Sequence, residues 1–480
     1  MLLFFIRTNF AVSNLQTFTT MKKRYVIFTA IIALIAIMGY VVPEESGIWE
    51  LSDNISTADI AWMITATIFV LMMTPGLSFF YGGMVRKKNV ISTILQSIIA
   101  MGVISVLWVF VGFSLSFGED LGGLGIIGNP STYLMFHNVG GAATDQLSMQ
   151  LGLTIPLALY ALFQMKFAII TPSLITGSFA ERVRFSSYMV FMALFCVFVY
   201  CPLAHMTWHP DGLFAKMHVK DFAGGITVHA SSGVAALVGA IFLGRRKEKK
   251  AEPANVPYVI LGAVLLWLGW FGFNAGSSLH ADGMAVKAFL NTNTAAATAM
   301  LLWVFLDCLT GRKPSAMGAA IGGVLGLVAI TPSAGWVSIG DSITIAVITT
   351  LVSNLACHWK SRTSVDDALD VFPTHGVGGI VGTALSGVFV YKYESDILAA
   401  EGVTHLHFFF NHVIALAIVF VYTFLVTYGL YYLTNKMIPM RVSEEDEHIG
   451  LDISQHDEHY GRPEVGKREL AEYYSEKHEE

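Results

Sequence analysis

Charged residues are scarce in this chain. Asp, Glu, Lys and Arg make up only 13% of its 480 residues, while 54% are hydrophobic and the mean hydropathy is +0.60. A soluble protein carries about 25% charged residues, so the composition excludes a water-soluble domain of this length. Apolar stretches of roughly 20 residues, the length of a helix that spans a bilayer, recur along almost the whole chain. We therefore predict an all-α polytopic membrane protein that sits in a lipid bilayer.

A basic surface and paired cysteines are also lacking. The net charge is -6 and comes largely from an acidic C-terminal tail, so we expect no nucleic-acid partner. The cysteines lie within or at the ends of apolar segments, without the spacing of disulfides or metal sites, and we interpret them as small core residues. We expect no cofactor and no bound metal. The four cysteines are Cys196, Cys201, Cys308 and Cys357.

The N-terminal segment has the pattern of a secretory signal. The basic stretch from Met21 to Arg24 is followed by an apolar stretch that runs to about Pro43, and this order of a basic and a hydrophobic region is typical of signal peptides. We expect residues 1–47 to be an N-terminal extension that is either a cleaved signal or an extra helix.

Eleven apolar segments follow this extension. Basic residues concentrate in the connections after the odd-numbered segments, as at Arg86, Arg182, Arg245 and Lys360. The positive-inside rule then places these connections and the C-terminus in the cytoplasm. We expect a multi-pass protein of the inner (cytoplasmic) membrane whose N-terminus lies outside after signal cleavage. The segments are centred near residues 70, 104, 163, 194, 234, 266, 298, 322, 347, 382 and 420.

Eleven segments divide into two groups of five and a last helix. Because five is odd, the second group must enter the membrane from the opposite side, which predicts two five-helix inverted repeats around a central pore. The membrane domain would span 48–435, with repeat one at about 58–246, repeat two at about 256–394 and the last helix at about 406–435. Residues 436–480 would form a cytoplasmic tail.

Each half carries one intramembrane histidine at a matching place. The fifth segment opens with Asp221 and carries His229, while the tenth opens with Asp370 and carries His375. His229 would lie about 12 Å along its helix from Asp221, near the bilayer centre. Two histidines that meet there can share one hydrogen bond and turn their outer nitrogens toward a substrate. The alternative is two unrelated histidines bonded to backbone carbonyls. Asp221 can also act as the N-cap of the fifth helix.

Aromatic side chains share faces of two segments. Phe163 and Phe167 are four residues apart in the third segment, and Trp270, Phe273 and Ser277 follow an i, i+3, i+7 pattern in the sixth. The two aromatic faces could meet as a gate. Ordinary packing is the alternative and is the commoner role of such stripes in membrane helices.

The motifs around these residues closely resemble the ammonium transporter (Amt/Rh) family, on its bacterial Amt side. The resemblance runs in order from about residue 58 to 461 and includes the tail motif from Arg441 to Asp452. Several of the matching strings are long enough to be highly specific. They are Ala223-Gly224-Gly225 with His229, Gly269 to Ser277, Asn291 to Ala296, Asp370-Val371-Phe372, and His375 to Gly379.

The resemblance implies a role for each of these residues. Trp208, Phe163 and Ser277 would recruit ammonium at the outer face, and Phe167 and Phe273 would form a stacked gate. His229 and His375 would form a twin-histidine pair in the pore, and Asp221 and Asp370 would support the structure. By itself, Trp208 would be interpreted as an interfacial anchor. The family also implies a homotrimer with one pore per subunit and a PII-type regulatory protein on the cytoplasmic face.

The implied activity is transport of ammonium, in part or whole as neutral ammonia, and not enzymatic catalysis. Ammonium and potassium are similar in size, so an apolar pore must separate them by chemistry. An isolated ion pays a large penalty in such a pore, and only ammonium can escape it by losing a proton, with the histidines supplying hydrogen bonds. One departure from the family is Lys166, beside the gate, where a cation aimed at the pore would repel ammonium.

Three other readings of the sequence stay open. A membrane di-metal oxidase would use clustered histidines, of which the densest set here is His405, His407 and His412. An ammonium sensor would have to act through a separate PII-type partner, because only about 45 residues follow the last segment. A transporter of another small amine would be separated by competition between methylammonium and ammonium.

Overall fold

The computed structural model describes residues 23–42, 47–248, 252–461, 466, 469–471 and 473–475. The beginning of the signal-like segment and the last residues of the tail lie outside these ranges. Within them the secondary structure is helical. The only β pairing in these ranges consists of two isolated bridges, from Asp120 to Gly128 and from Val183 to Arg441.

Ten helices of the described part are long and apolar enough to cross a membrane, and two shorter ones complete the set. Helices α2 to α12 occupy the eleven predicted segments, so the prediction of a polytopic all-α fold is confirmed. The helices are α1 Lys23–Val41, α2 Thr57–Met84, α3 Lys87–Phe117, α4 Leu157–Ile175, α5 185–208, α6 Gly225–Leu243, α7 Val256–Ser278, α8 Gly283–Leu309, α9 Ala316–Ile330, α10 Ile339–Ser361, α11 372–389 and α12 His405–Met437.

Polar side chains begin many of these helices. Each accepts a hydrogen bond from the backbone N–H three residues further on, which satisfies one of the donors that a helix leaves unpaired at its start. Such caps fix the point at which the chain turns into the membrane. The capping residues are Ser56, Asn255, Asp282, Ser315, Ser338 and Thr404.

The first helices of the two halves, α2 and α7, pack closely against each other. A Cβ atom added at Gly262 would lie 2.2 Å from the backbone nitrogen of Phe80, and one added at Gly269 would lie 2.3 Å from Cγ of Met73. Small residues at a membrane helix contact allow this approach. The close packing of equivalent helices accords with the predicted pair of repeats.

Several of the basic connections after the odd-numbered segments contact one another. The carboxylate of Glu181, in the connection between α4 and α5, pairs with Arg86 at 3.0 Å and with Arg246 at 3.0 Å. Burial alone would raise the pKa of Glu181, but the hydrogen bonds and charges of the two arginines outweigh it and lower the pKa. These contacts join three connections that the charge pattern predicts to be cytoplasmic.

The tail packs against these connections through two short helices, α13 Glu444–Ile449 and α14 Leu451–His456. The Asp452 carboxylate accepts hydrogen bonds from the backbone N–H groups of Ile91 and Ser92, at 3.1 and 2.8 Å, near the start of α3. The Arg441 guanidinium donates to the backbone oxygens of Leu243 and Arg245, at 2.6 and 2.7 Å, at the end of α6. The tail therefore holds the end of α6 and the start of α3.

The close contact between α2 and α7 generates a stability prediction. Gly262→Val would force side-chain atoms into the backbone of α2 and should cost about 3 kcal/mol, the upper end of the range for overpacked cores. The melting temperature of the purified protein in detergent measures this loss. The matched control is Gly102→Val in α3, where an added Cβ would meet nothing within 4 Å. Equal melting temperatures for both variants would contradict the packing described here.

Candidate functional site

The two predicted histidines meet in the interior of the molecule. His229 lies in a π-helical turn, Gly225–Ala230, at the start of α6, and His375 lies in a second π-helical turn, Phe372–Val377, at the start of α11. Their Nδ1 atoms are 3.3 Å apart, and their ring planes are inclined by 24°. Both residues are buried. π-Helical turns are rare and occur often at functional sites.

Glycines allow the two histidine helices to come this close. A Cβ atom at Gly233 of α6 would lie 2.1 Å from Cα of Gly376, and one at Gly379 of α11 would lie 2.7 Å from the backbone nitrogen of Ala230. Any side chain at these positions would push the helices apart. The glycine-rich stretches around the histidines therefore have a packing role.

The short contact between the rings constrains their protonation. One Nδ1 must carry a hydrogen and donate it, while the other Nδ1 accepts, so the two neutral rings are opposite tautomers. The outer nitrogens then differ as well: one Nε2 is an acceptor and the other is a donor. Nε2 of His229 is buried and has no hydrogen-bond partner among the described residues. An unpartnered group of this kind can bind a small molecule that donates or accepts hydrogen bonds.

Trp270 also packs on His229. The ring centroids are 5.2 Å apart with planes inclined by 18°, and the indole N–H donates to Oγ1 of Thr331 at 2.8 Å. The His229 ring thus contacts both Trp270 and His375. The sequence pattern placed Trp270 on the aromatic face of α7, but nothing in the pattern predicted its contact with the histidine.

Two phenylalanines stack against each other on one side of the histidine pair. Phe167 of α4 and Phe273 of α7 stack with their centroids 4.2 Å apart and their planes inclined by 21°. Phe273 is in turn 6.0 Å from the ring of His229. The structure therefore brings together the two residues that were expected to form a gate, directly next to the histidine pair.

The three residues expected at the outer recruitment site surround this phenylalanine pair. Phe163 and Trp208 each present an edge to Phe167, at centroid distances of 4.9 and 5.9 Å. Ser277 is half-buried, and its hydroxyl donates to the backbone oxygen of Phe273 at 2.8 Å, which leaves its oxygen lone pairs free to accept. A Cβ atom at Gly276, the residue before Ser277, would lie 2.9 Å from Phe163.

Asp221 organises the start of α6. Its two carboxylate oxygens accept from the backbone N–H groups of Gly224, Gly225, Ile226 and Thr227, at 2.8, 2.7, 2.8 and 3.4 Å. The backbone oxygen of Asp221 also accepts from the indole N–H of Trp208 at 2.9 Å. One residue thus caps the helix of His229 and holds the tryptophan at the outer end of the site.

In the second half, the equivalent cap is Asp367 and not Asp370. The Asp367 carboxylate accepts from the backbone N–H groups of Val371 and Phe372, at 3.2 and 2.8 Å, where α11 begins. Asp370, which is predicted to support the structure, pairs with Nζ of Lys360 at 2.6 Å. The signal was present in the sequence, because Asp367 precedes its histidine by eight residues (375 − 367), as Asp221 does (229 − 221). Asp370 precedes it by only five (375 − 370).

Lys166, the departure noted beside the gate, is buried without a carboxylate. Its Nζ lies 3.6 Å from the sulfur of Met165, and no acid pairs with it in the part of the chain that the structure describes. Lys166 directly precedes Phe167 on the helix, so these two side chains point about 100° apart around the helix axis. No role follows from these contacts.

The histidines considered for a metal centre make backbone contacts instead. Nδ1 of His412 lies 2.8 Å from the backbone oxygen of Phe408, and its Nε2 accepts from the backbone N–H of Lys220 at 3.0 Å. Nε2 of His405 lies 3.0 Å from the backbone oxygen of Val388. Because both nitrogens of His412 are occupied, this ring has no lone pair to offer a metal.

Comparisons with known proteins agree with the motifs. The sequence model described as Ammonium Transporter Family matches residues 61–460. An ammonium transporter of Bacillus subtilis is 40% identical over 408 residues, which cover 83% of this chain and 97% of that protein. The crystal structure of Saccharomyces cerevisiae Mep2 is similar with a TM-score of 0.74 and 33% identity, covering 82% of this chain and 89% of that one. A structure described as a Sensor Amt Protein has a TM-score of 0.75 at 28% identity, covering 83% and 98%.

The two caps generate a prediction about the aspartates. Asp367→Ala should destabilise the protein by about 2 kcal/mol, as Asp221→Ala should, because each leaves backbone donors unpaired at a buried helix start. Asp370→Ala should cost less than about 1 kcal/mol, since it removes only a partly exposed ion pair. Thermal unfolding of the three purified variants measures the order. A larger loss for Asp370→Ala than for Asp367→Ala would show that the assignment of the cap is wrong.

Proposed function

The chain belongs to the ammonium transporter family, and from that premise we propose that it recruits ammonium at an outer aromatic site, removes a proton, and conducts neutral ammonia past a pair of histidines. The observation that carries this proposal is the Nδ1 contact between His229 and His375, with an unpartnered outer nitrogen, directly beneath a closed phenylalanine pair.

Recruitment rests on the groups around the outer phenylalanine. The faces of Phe163 and Trp208 offer cation-π attraction to an ammonium ion, and the Ser277 oxygen offers one hydrogen-bond acceptor. Together they replace only part of a hydration shell. Ammonium would therefore bind only weakly at this site and could leave it again.

The next step is governed by the cost of charge. Phe167 and Phe273 offer no hydrogen bond, and an isolated ion pays many kcal/mol to enter such surroundings. Potassium cannot lower this cost, whereas ammonium can give up a proton. Neutral ammonia can then move between the outer nitrogens of the histidines, one of which accepts a hydrogen bond while the other donates one, and the proton can follow through the hydrogen-bonded imidazoles, so that one positive charge crosses with each ammonia.

The placement in the cell is part of the same proposal. The charge pattern supports an inner-membrane protein with its C-terminus in the cytoplasm, because several of the basic connections and the docked tail contact one another. Apolar side chains on the outward faces of α8 and α10, such as Phe289, Phe305 and Leu355, are exposed. These faces suit lipid or the neighbouring subunits of a homotrimer.

An ammonium sensor that acts through a PII-type partner is the second candidate. The structural likeness to a protein described as a Sensor Amt Protein favours it, and the folded tail on the cytoplasmic face would offer such a partner a surface. A sensor would bind ammonium at the same outer site but carry little flux. The relatives named as transporters make transport the first candidate.

The transport mechanism is tested by electrical recording. Purified protein in liposomes on a supported membrane should give a current with ammonium pulses and none with potassium pulses. His229→Ala combined with His375→Ala should lower the ammonium current roughly 100-fold, the lower end of the contribution of a positioned acid–base group. The control is His358→Ala, whose ring bonds only to the backbone of its own helix. An undiminished current in the double variant would refute the role of the pair.

The partner proposal is tested by truncation. Deleting all residues beyond Met440 removes the contacts of Arg441 and Asp452 with α6 and α3, and we expect lower ammonium uptake and loss of binding to a PII-type protein. Truncation after Gly461 keeps those contacts and should retain both properties. Unchanged PII binding in the shorter protein would show that the tail is not the docking surface.

A further inference from the structure

The two histidine helices run in opposite directions, so the end of α6 and the start of α11 lie on the same cytoplasmic face. We propose that Arg246 is a positioning residue for the histidine pair: its guanidinium ties the end of the His229 helix to the start of the His375 helix and so sets the separation of the two rings. The inference rests on the proposed role of these rings in conduction.

Arg246 binds Asp366 in the geometry that arginine is best suited for. Its Nε donates to one carboxylate oxygen at 3.0 Å and its terminal nitrogen donates to the other at 2.8 Å. The backbone N–H of Arg246 adds a third hydrogen bond to Asp366, at 2.8 Å. A planar fork on a carboxylate fixes direction as well as distance. The remaining guanidinium nitrogen donates to Glu181 at 3.0 Å, which anchors the fork to a third connection.

This contact is transmitted to α11 without a flexible link. Asp366 is followed directly by Asp367, whose buried carboxylate caps the first turn of the helix that carries His375. The backbone oxygen of Asp366 accepts from the fully buried guanidinium of Arg182 at 2.6 Å. A displacement of Arg246 would therefore move the start of α11 as a unit.

Arg246 also lies close in the chain to the end of α6. Arg246 follows the last residue of α6, Leu243, by three positions. The guanidinium of Arg441 holds the backbone oxygens of Leu243 and Arg245. The end of the His229 helix is thus fixed directly before Arg246.

The outer ends of the same helices are joined more weakly. Lys220, just before the start of α6, and Glu394, just after the end of α11, are 3.5 Å apart, and 32% of the lysine side chain is exposed. Exposed pairs of this kind contribute little. Of these two contacts between the helix ends, the contact made by Arg246 is the stronger.

The charges of this contact persist across physiological pH. Burial alone would raise the pKa of Asp366, but the hydrogen bonds and charge of Arg246 outweigh it and lower the pKa to about 2. Because the folded-state pKa lies below the ordinary value, the stabilisation is present at neutral pH and is lost only as the pH falls from about 4 toward 2. The contact between Arg246 and Asp366 therefore keeps its charges at physiological pH and does not act as a pH switch.

The test uses a ratio that does not depend on the amount of folded protein. Arg246→Lys keeps the charge but removes the fork, and Asp366→Asn removes the charge of its partner with little change in shape. Both should change the ratio of methylammonium current to ammonium current by roughly 3-fold or more, because small displacements of reacting groups have large effects on rate. A purely structural role would lower both currents together and leave the ratio as in the wild type, which would overturn the inference.

Two controls sharpen the result. Arg245→Lys alters the neighbouring arginine, whose guanidinium donates to the backbone oxygens of Thr363 and Ser364 and to no carboxylate among the described residues, and should leave the ratio unchanged. In a His375→Ala background, Arg246→Lys should have no additional effect on the ratio, because residues that act through one another are not additive. An additive change there would overturn the inference.

These outcomes separate the two proposals. If His229→Ala and His375→Ala leave the ratio and the current of the wild type unchanged, the proposed histidine mechanism fails. If the histidine variants change the ratio but Arg246→Lys and Asp366→Asn do not, only the proposed role of Arg246 fails.

Discussion

The rest of the site depends on one hydrogen bond between two imidazole rings in the membrane interior. Ionisable groups are costly there unless they find a partner, and His229 and His375 find each other. This arrangement has two consequences. The helices that carry them must cross at van der Waals contact, which the glycines of α6 and α11 permit, and both rings keep one nitrogen for another molecule. Because the two rings use only their Nδ1 atoms for each other, their Nε2 atoms stay available for hydrogen bonds to another molecule.

The same constraint shapes the surroundings of the pair. The phenylalanine pair, with no hydrogen-bonding group in its rings, lies on one side of His229, so a charge there would pay a large desolvation cost. Charged groups that hold the helices lie instead at their ends, where Asp221 and Asp367 cap the two histidine helices. On the proposed mechanism, this arrangement leaves the apolar centre for conduction.

Local patterns in the sequence predicted much of this arrangement. Hydrophobic length predicted the eleven segments, and the symmetric placement of His229 and His375 predicted their meeting. The cap Asp367 was not predicted, although its eight-residue spacing to His375 equals that of Asp221 to His229. Contacts between distant segments, such as Arg246 with Asp366 and Trp270 with His229, follow from how the helices cross. No local spacing predicts that crossing.

The central claim is that a permanent cation of the size of ammonium cannot pass the apolar region between the phenylalanine pair and the histidines. The most direct measurement is uptake of radioactive rubidium into liposomes that contain the wild-type protein, with a membrane potential that is negative inside. We predict uptake no greater than in protein-free liposomes, while ammonium enters the same preparation. Voltage-driven rubidium uptake through the protein would contradict the account.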